Sequence, residues 1–324
     1  MKNPNFFLVG APKAGTTSLY RYLDQHPEIY MSPIKEPHYF ADEIREENFD
    51  GHMRAMAAQR NKALRQYLEG SVTEKFSGGP ISDWRDYLKL FRAAEQEKAV
   101  GEASTCYLWS RTAPSHIAAA FPNARIIIVL RDPAERAFSQ YRHMLSFAER
   151  EIPFRAYLDA GIEERNTRIG ETYPFLWFGL YAGQITRYLS HFARENVHIA
   201  FYQEFVADPK AFVAAIYKFL GVDDAFRPDM SEHHMQAAVP QLYALNRGLK
   251  RSGVWALARS MSPPGLRRRL RRLAYRPSHS AAMASGERAR LVEFYREDIQ
   301  RLSLIVQRDL SCWLRCDAAA SPPQ

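Results

Sequence analysis

Directly after the apolar run Phe6–Val9, the chain reads Gly10-Ala-Pro-Lys13-Ala14-Gly15-Thr16-Thr17-Ser18. A strand, a glycine-bearing turn and a hydroxyl-rich helix start make a cradle for a phosphate-like anion. The glycines permit the tight turn, and the first N–H groups of the helix lack intrahelical acceptors at the positive end of its dipole. In the ATP and GTP loop G-x-x-x-x-G-K-[ST] the lysine follows the second glycine and reaches the terminal phosphates. Here Thr16 takes that place and the cation comes earlier, at Lys13. The loop is expected to bind a phosphate-like group through Lys13 and residues Ala14, Gly15, Thr16, Thr17 and Ser18, with its charge aimed elsewhere than in an NTPase.

Positioning that loop requires a sheet. Strand-length apolar runs recur at Phe6–Val9, Ile29–Met31, Ala99–Ala103, Ile126–Leu130 and Val197–Phe201, separated by helical patterns or long connections. The alternation predicts an α/β fold, a P-loop-type parallel β-sheet flanked by helices on both faces, with a helical C-terminal part. Arg125–Leu130 is too uniformly apolar for a half-exposed strand and is placed near the middle of the sheet. In open α/β sheets ligands collect at the carboxyl ends of strands, so the first loop and the turn Arg131-Asp132-Pro133 are expected to face one crevice. Beyond residue 203 the patterns are helical: Phe205–Leu220 is one candidate. In Glu287–Leu310, Leu291, Tyr295, Ile299, Leu302, Val306 and Leu310 share a face. The expected organisation is one domain over 1–318, with a core at 5–220, a basic helical segment at 241–276, a packing helix at 287–313 and a disordered tail at 319–324.

The 324 residues are 46% hydrophobic, enough for a large core, and carry a net charge of +8. Ten of the 44 Lys and Arg fall within 247–276, which holds no acid, so the remaining chain is slightly acidic and an anionic partner is implied for that segment. No apolar stretch approaches a membrane span and no signal peptide fits ahead of residue 10, which reads as a cytoplasmic protein. Three cysteines make no disulfide framework. Cys312 and Cys316 stand one helical turn apart without a third ligand beside them, and no metal site is expected.

Three further segments belong with the loop: Ser32-Pro-Ile-Lys35-Glu36-Pro-His38-Tyr-Phe40, Gly101-Glu102-Ala-Ser104-Thr-Cys-Tyr107-Leu108 and Arg131-Asp-Pro-Ala-Glu-Arg136-Ala-Phe-Ser139-Gln-Tyr141. In this order, with Gly10–Ser18, they resemble the sulfotransferases that use 3′-phosphoadenosine-5′-phosphosulfate, in particular the branch of bacterial and heparan-sulfate enzymes. The resemblance runs from about residue 5 to about 220. It implies 3′-phosphoadenosine-5′-phosphosulfate as co-substrate with no metal required, and a hydroxyl or amine acceptor, expected to be a glycan or glycolipid.

Sulfuryl transfer resembles phosphoryl transfer in resting on positioning and charge stabilisation. Lys13 would meet the bridging oxygen where leaving-group charge develops. Glu36 is the leading candidate for general base, the role of the matching glutamate in the resembling branch, with Lys35 and His38 near the transferring group. The alternatives are a Glu36–Lys35 or Glu36–arginine pair without catalytic function, and His38 as the base. Arg131 and Ser139 match the family's pair for the 3′-phosphate; the plainer reading is an Arg131–Asp132 surface pair. Arg136 is read as solvated or interhelical. Ser104 and Tyr107 match positions that line the acceptor side in the resembling family, with a core position the alternative for Tyr107, and residues 41–98 are expected to shape the pocket. Two competing functions stay open. One is a magnesium-dependent kinase or NTPase using Asp132. The other is a binding protein gripping an anionic surface through the basic segment, with membrane contact through 264–276 and no nucleic acid expected.

Overall fold

The computed structural model describes residues 2–48, 61–76, 79–145, 152–163, 175–231, 238–240, 275–277 and 283–316. Five parallel strands, β1 (Phe6–Gly10), β2 (Ile29–Met31), β3 (Ala99–Ala103), β4 (Arg125–Leu130) and β5 (Val197–Phe201), form one sheet in the order β2-β3-β1-β4-β5. Every residue of β1 and β3 is buried, so both faces of the sheet are covered. Ile126, Ile127 and Ile128 of β4 are fully buried between the β1 and β5 pairings. Each such side chain contributes about 1.5–3 kcal/mol.

Helices among the described residues include α1 (Thr16–Asp24), α2 (Trp84–Lys89), α3 (Ala113–Ala120), α4 (Pro133–Leu145), α5 (Phe154–Glu163), α6 (Tyr181–His191), α7 (Tyr202–Ala207), α8 (Pro209–Leu220) and α9 (Ser285–Val306), and residues 61–69 are also helical. Two expectations are corrected. The single helix expected over Phe205–Leu220 is two, because Asp208 leaves the helical region and its carboxylate caps the next helix at Ala211 N (2.9 Å), where Pro209 supplies the fixed φ of a first helical residue. The last helix stops at Val306 instead of running to Leu310, because Gln307 turns left-handed (φ 52°). Leu291, Tyr295, Ile299 and Leu302 do form its buried face, and Leu310 and Trp313 are buried beyond its end.

Of the basic segment, only the backbone of 275–277 is described, as β7 (Tyr275–Pro277) paired antiparallel with β6 (Ala238–Pro240), so its end is strand and not helix. The expectations for 241–274 and for 319–324 lie outside the described residues. Among the described residues no helix is long and apolar enough to cross a membrane. Cys312 and Cys316 are exposed.

The sheet order puts the switch in winding direction beside β1, since the chain passes first to β2 and β3 on one side and then to β4 and β5 on the other. That is where ligands bind in open parallel sheets. The four chemically suggestive segments all leave carboxyl ends of strands: 10–18 after β1, 32–40 after β2, 104–108 after β3 and 131–141 after β4.

Candidate active site

The β1–α1 turn is held open by backbone conformations that few residues adopt. Lys13 (φ 67°) and Gly15 (φ 82°) are both left-handed. At Gly15 a Cβ would also stand 3.0 Å from the rings of Phe205 and Tyr202, so glycine answers both conformation and space. Gly10 meets a similar limit, with a Cβ there falling 2.6 Å from that of Leu108. The first turn of α1 holds no acid that would oppose an anion. Ala14 N donates to Ala11 O at 3.2 Å, so this amide, expected to face a ligand, is engaged within the turn. The Thr16 side chain is buried, while Thr17 and Ser18 are half-buried.

Arg131, at the end of β4, reaches the same turn. Its Nη1 donates to Lys13 O at 3.2 Å, its guanidinium lies 4.7 Å from the centre of the Tyr202 ring, and Nη2 is 3.7 Å from Glu135 Oε2. Burial, and next the Arg131 charge, lower the Lys13 ammonium from 10.5 to about 8 against the opposing pull of Glu36. The Arg131–Asp132 pair does not form. Asp132 Oδ1 accepts from the N–H groups of Ala134 (2.9 Å) and Glu135 (3.3 Å), capping α4, and Oδ2 accepts from Arg288 Nη2 at 2.7 Å.

Across the cleft, Glu36 Oε1 accepts from Lys35 Nζ at 2.8 Å and from Thr105 Oγ1 at 3.0 Å, and Oε2 stands 3.7 Å from His38 Nε2. Burial would raise this carboxyl. The charges of Lys35 and His38 and the hydrogen bonds from Lys35 and Thr105 outweigh it and bring the pKa from 4.5 down to about 2. Burial lowers the His38 imidazole below 6.5 against the attraction of Glu36, and its Nδ1 lies 2.9 Å from Cys106 Sγ. The Glu36–Lys35 pair anticipated as a structural alternative is therefore present, and the same carboxylate also faces His38 and acts electrostatically on Lys13.

Glu36 (φ 68°) and His38 (φ 58°) flank Pro37 in left-handed conformations that cost non-glycine residues about 1 kcal/mol or more each. Neighbouring elements enforce them: Glu36 N donates to Ala103 O (2.8 Å) and His38 N to Ser104 Oγ (3.1 Å). Ser104 and Tyr107, expected on the acceptor side, are fully buried behind this loop. Both donate to a carboxylate that the sequence reading left without a role, Glu102, from Ser104 Oγ at 2.7 Å and Tyr107 OH at 2.8 Å; Tyr87 OH adds a third contact at 3.3 Å. Tyr107 OH also accepts from Phe40 N at 3.3 Å. Burial pushes Glu102 up to about 7, against the lowering effect of its three hydroxyl donors.

Ser139 sits half-buried on α4. Glu135, Ser139 and His143 recur at helical spacing on one face. Glu135 approaches Arg131, and His143 is lowered to about 4 by burial and the Lys13 charge, opposed by Glu36. Ser139 thus shares a helix face with two residues that interact electrostatically with Arg131 and Lys13. Arg136 is fully buried, donating to Phe175 O, so it is interhelical and not solvated. His143 went unnoticed in the sequence, although its place one turn after Ser139 was a readable signal. A cavity of about 460 Å³ opens beside His38, walled by Asp42, Arg45, Asn48, Asn61 and Ser82, all within 41–98.

A parallel sheet whose carboxyl edge joins a glycine-bearing turn with a lysine to a half-buried carboxylate–histidine pair has the arrangement of a group-transfer fold. Residues 4–226 match the profile of the Sulfotransferase family, and the chain belongs to that family. The solved sulfotransferase from Alicyclobacillus acidocaldarius superposes with a TM-score of 0.66 at 32% identity, covering 97% of this chain and 100% of the other. Among curated relatives, human carbohydrate sulfotransferase 15 is 27% identical over 266 residues, covering 68% of this chain and 44% of its own length. The mouse bifunctional heparan sulfate N-deacetylase/N-sulfotransferase 4 is 29% identical over 222 residues, covering 68% of this chain and 22% of its own. The chain thus spans less than half the length of either curated relative.

Proposed function

We propose that this protein transfers the sulfuryl group of 3′-phosphoadenosine-5′-phosphosulfate to a hydroxyl or amine of a carbohydrate acceptor. The acceptor heteroatom forms a bond to sulfur as the bond from sulfur to the phosphate oxygen breaks, and adenosine 3′,5′-bisphosphate leaves. Lys13 takes up the charge that grows on the leaving phosphate, the start of α1 holds the 5′-phosphate and Arg131 with Ser139 holds the 3′-phosphate. Glu36 receives the acceptor proton, with His38 beside it, and the cavity next to His38 receives the acceptor. Carbohydrate is chosen because the relatives reported above are named for carbohydrate and heparan sulfate.

The observation that carries this reading is the meeting of Lys13, Arg131 and the Glu36–His38 pair at one sheet edge, close enough for Arg131 and Glu36 to shift the titration of Lys13. The NTPase alternative needs Asp132 for magnesium, and both its oxygens are committed to the α4 amides and Arg288. Calorimetric titration with adenosine 3′,5′-bisphosphate, and separately with ADP plus magnesium, tests the proposal. Binding of the bisphosphate alone, weakened at least tenfold in Arg131→Ala, is expected. Preference for ADP with magnesium would overturn it.

A further inference from the structure

We propose that Arg288, on the C-terminal helix α9, is a positioning residue for the 3′-phosphate subsite, because it occupies the two acids that would otherwise engage Arg131. The inference rests on the assignment of Arg131 to the 3′-phosphate made above. It extends the subsite to a part of the chain that lies beyond the matched family segment, 4–226.

Arg288 is only 2% exposed and donates through all three nitrogens of its guanidinium. Nη2 donates to Asp132 Oδ2 at 2.7 Å, Nη1 to Glu135 Oε1 at 3.4 Å and Nε to Arg315 O at 2.8 Å. Glu135 is therefore shared. One oxygen faces Arg288, while the other stands 3.7 Å from Arg131 Nη2, too far for a hydrogen bond. Arg131 itself keeps a single 3.2 Å bond to Lys13 O, and Tyr181 OH fixes its carbonyl at 3.0 Å.

In this arrangement Asp132, Glu135, Arg131 and Arg288 sum to zero charge, and the Arg131 guanidinium retains donors for a phosphate. Without Arg288 the group carries one net negative charge beside the anion to be bound. Glu135 then has both oxygens available to Arg131, whose Nη2 already stands 3.7 Å away, so a carboxylate competes with the phosphate for the same fork. The C-terminal helix, which the sequence reads as packing only, thereby sets the charge available at the donor site.

The ratio of the dissociation constants of adenosine 5′-phosphate and adenosine 3′,5′-bisphosphate isolates the contribution of the 3′-phosphate. Calorimetry on the full chain should show this ratio falling about tenfold in Arg288→Met, the scale of one uncompensated charge at a partly buried anion site. Glu135→Gln introduced into that variant should restore most of the loss, an effect that a mere packing defect would not show. An unchanged ratio in Arg288→Met, with only a lowered melting temperature, would overturn the proposal. If Arg288→Met does not fold, Glu135→Gln alone decides: the ratio should rise a few-fold, and an unchanged or lower value refutes the competition. A ratio that Arg131→Ala leaves untouched would instead remove the reading of Arg131, and the inference with it.

Discussion

Glu102 gives the sharpest quantitative test, because its side chain is fully buried and its partners are three hydroxyl groups instead of a cation. Hydroxyl donors replace water incompletely, so burial raises the carboxyl from 4.5 to about 7. Between those values the folded protein holds a proton that the unfolded chain has released, and stability falls as pH rises. The full loss, reached above pH 7, is about 3 kcal/mol. The raw profile of the wild type hides this, because His143, lowered from 6.5 to about 4, makes stability rise across nearly the same window. The difference between Glu102→Gln and wild type removes every group the two share. Urea unfolding of both proteins at intervals from pH 4.5 to 7.5, with equal m-values, should show the variant gaining about 3 kcal/mol on the wild type as pH increases. A difference curve flat to within 0.5 kcal/mol or so would refute the raised carboxyl and with it the account of why Ser104 and Tyr107 are buried.

Two further predictions concern the cleft. With Lys13 lowered to about 8, binding of adenosine 3′,5′-bisphosphate at higher pH must bring a proton with it. Wild-type affinity should then fall by up to tenfold per pH unit between pH 8 and 9.5, whereas weaker-binding Lys13→Met should lack that slope; equal slopes would clear Lys13 of the role. Glu36→Gln should leave bisphosphate affinity within a few-fold of wild type and reduce single-turnover transfer by about 10²–10⁴. Retained turnover in this variant, with loss in His38→Ala, would move the base to His38.

The sheet was legible because buried parallel strands are written as uninterrupted apolar runs, and all five runs are strands. The turn between β1 and α1 was legible for a similar reason, since glycines at fixed offsets from a strand imply a tight backbone turn. Partnership across the fold was not written in any spacing. Ser104 and Tyr107 appear in the sequence as polar residues near a cleft, and only the register of β3 beside β1 places them behind it, around Glu102. Arg288 stands 156 residues from Asp132, and its exposed-looking helical neighbourhood gives no hint of burial. The break at Asp208-Pro209 could have been read from the capping pair itself, and an apolar periodicity that continues across it concealed it.

The low pKa of Glu36 bears directly on how it could act as a base. A carboxylate held near 2 by the ammonium of Lys35 is a weak proton acceptor, and the pairing seen here would oppose catalysis if it persisted. Lys35, however, donates to Glu36 through one N–H and has two further donors on a flexible stem, and a sulfuryl group arriving opposite Lys13 would offer it additional anionic oxygens. Were Lys35 to turn to the donor, Glu36 would keep Thr105 and His38 but lose the largest of the charges that lower it, and its pKa would rise. On the proposed function, Glu36 would then be a weak base while the cleft lacks donor and a stronger one with the group to be transferred in place. Lys35, paired with Glu36 at 2.8 Å, would link the two states, so that basicity follows donor binding.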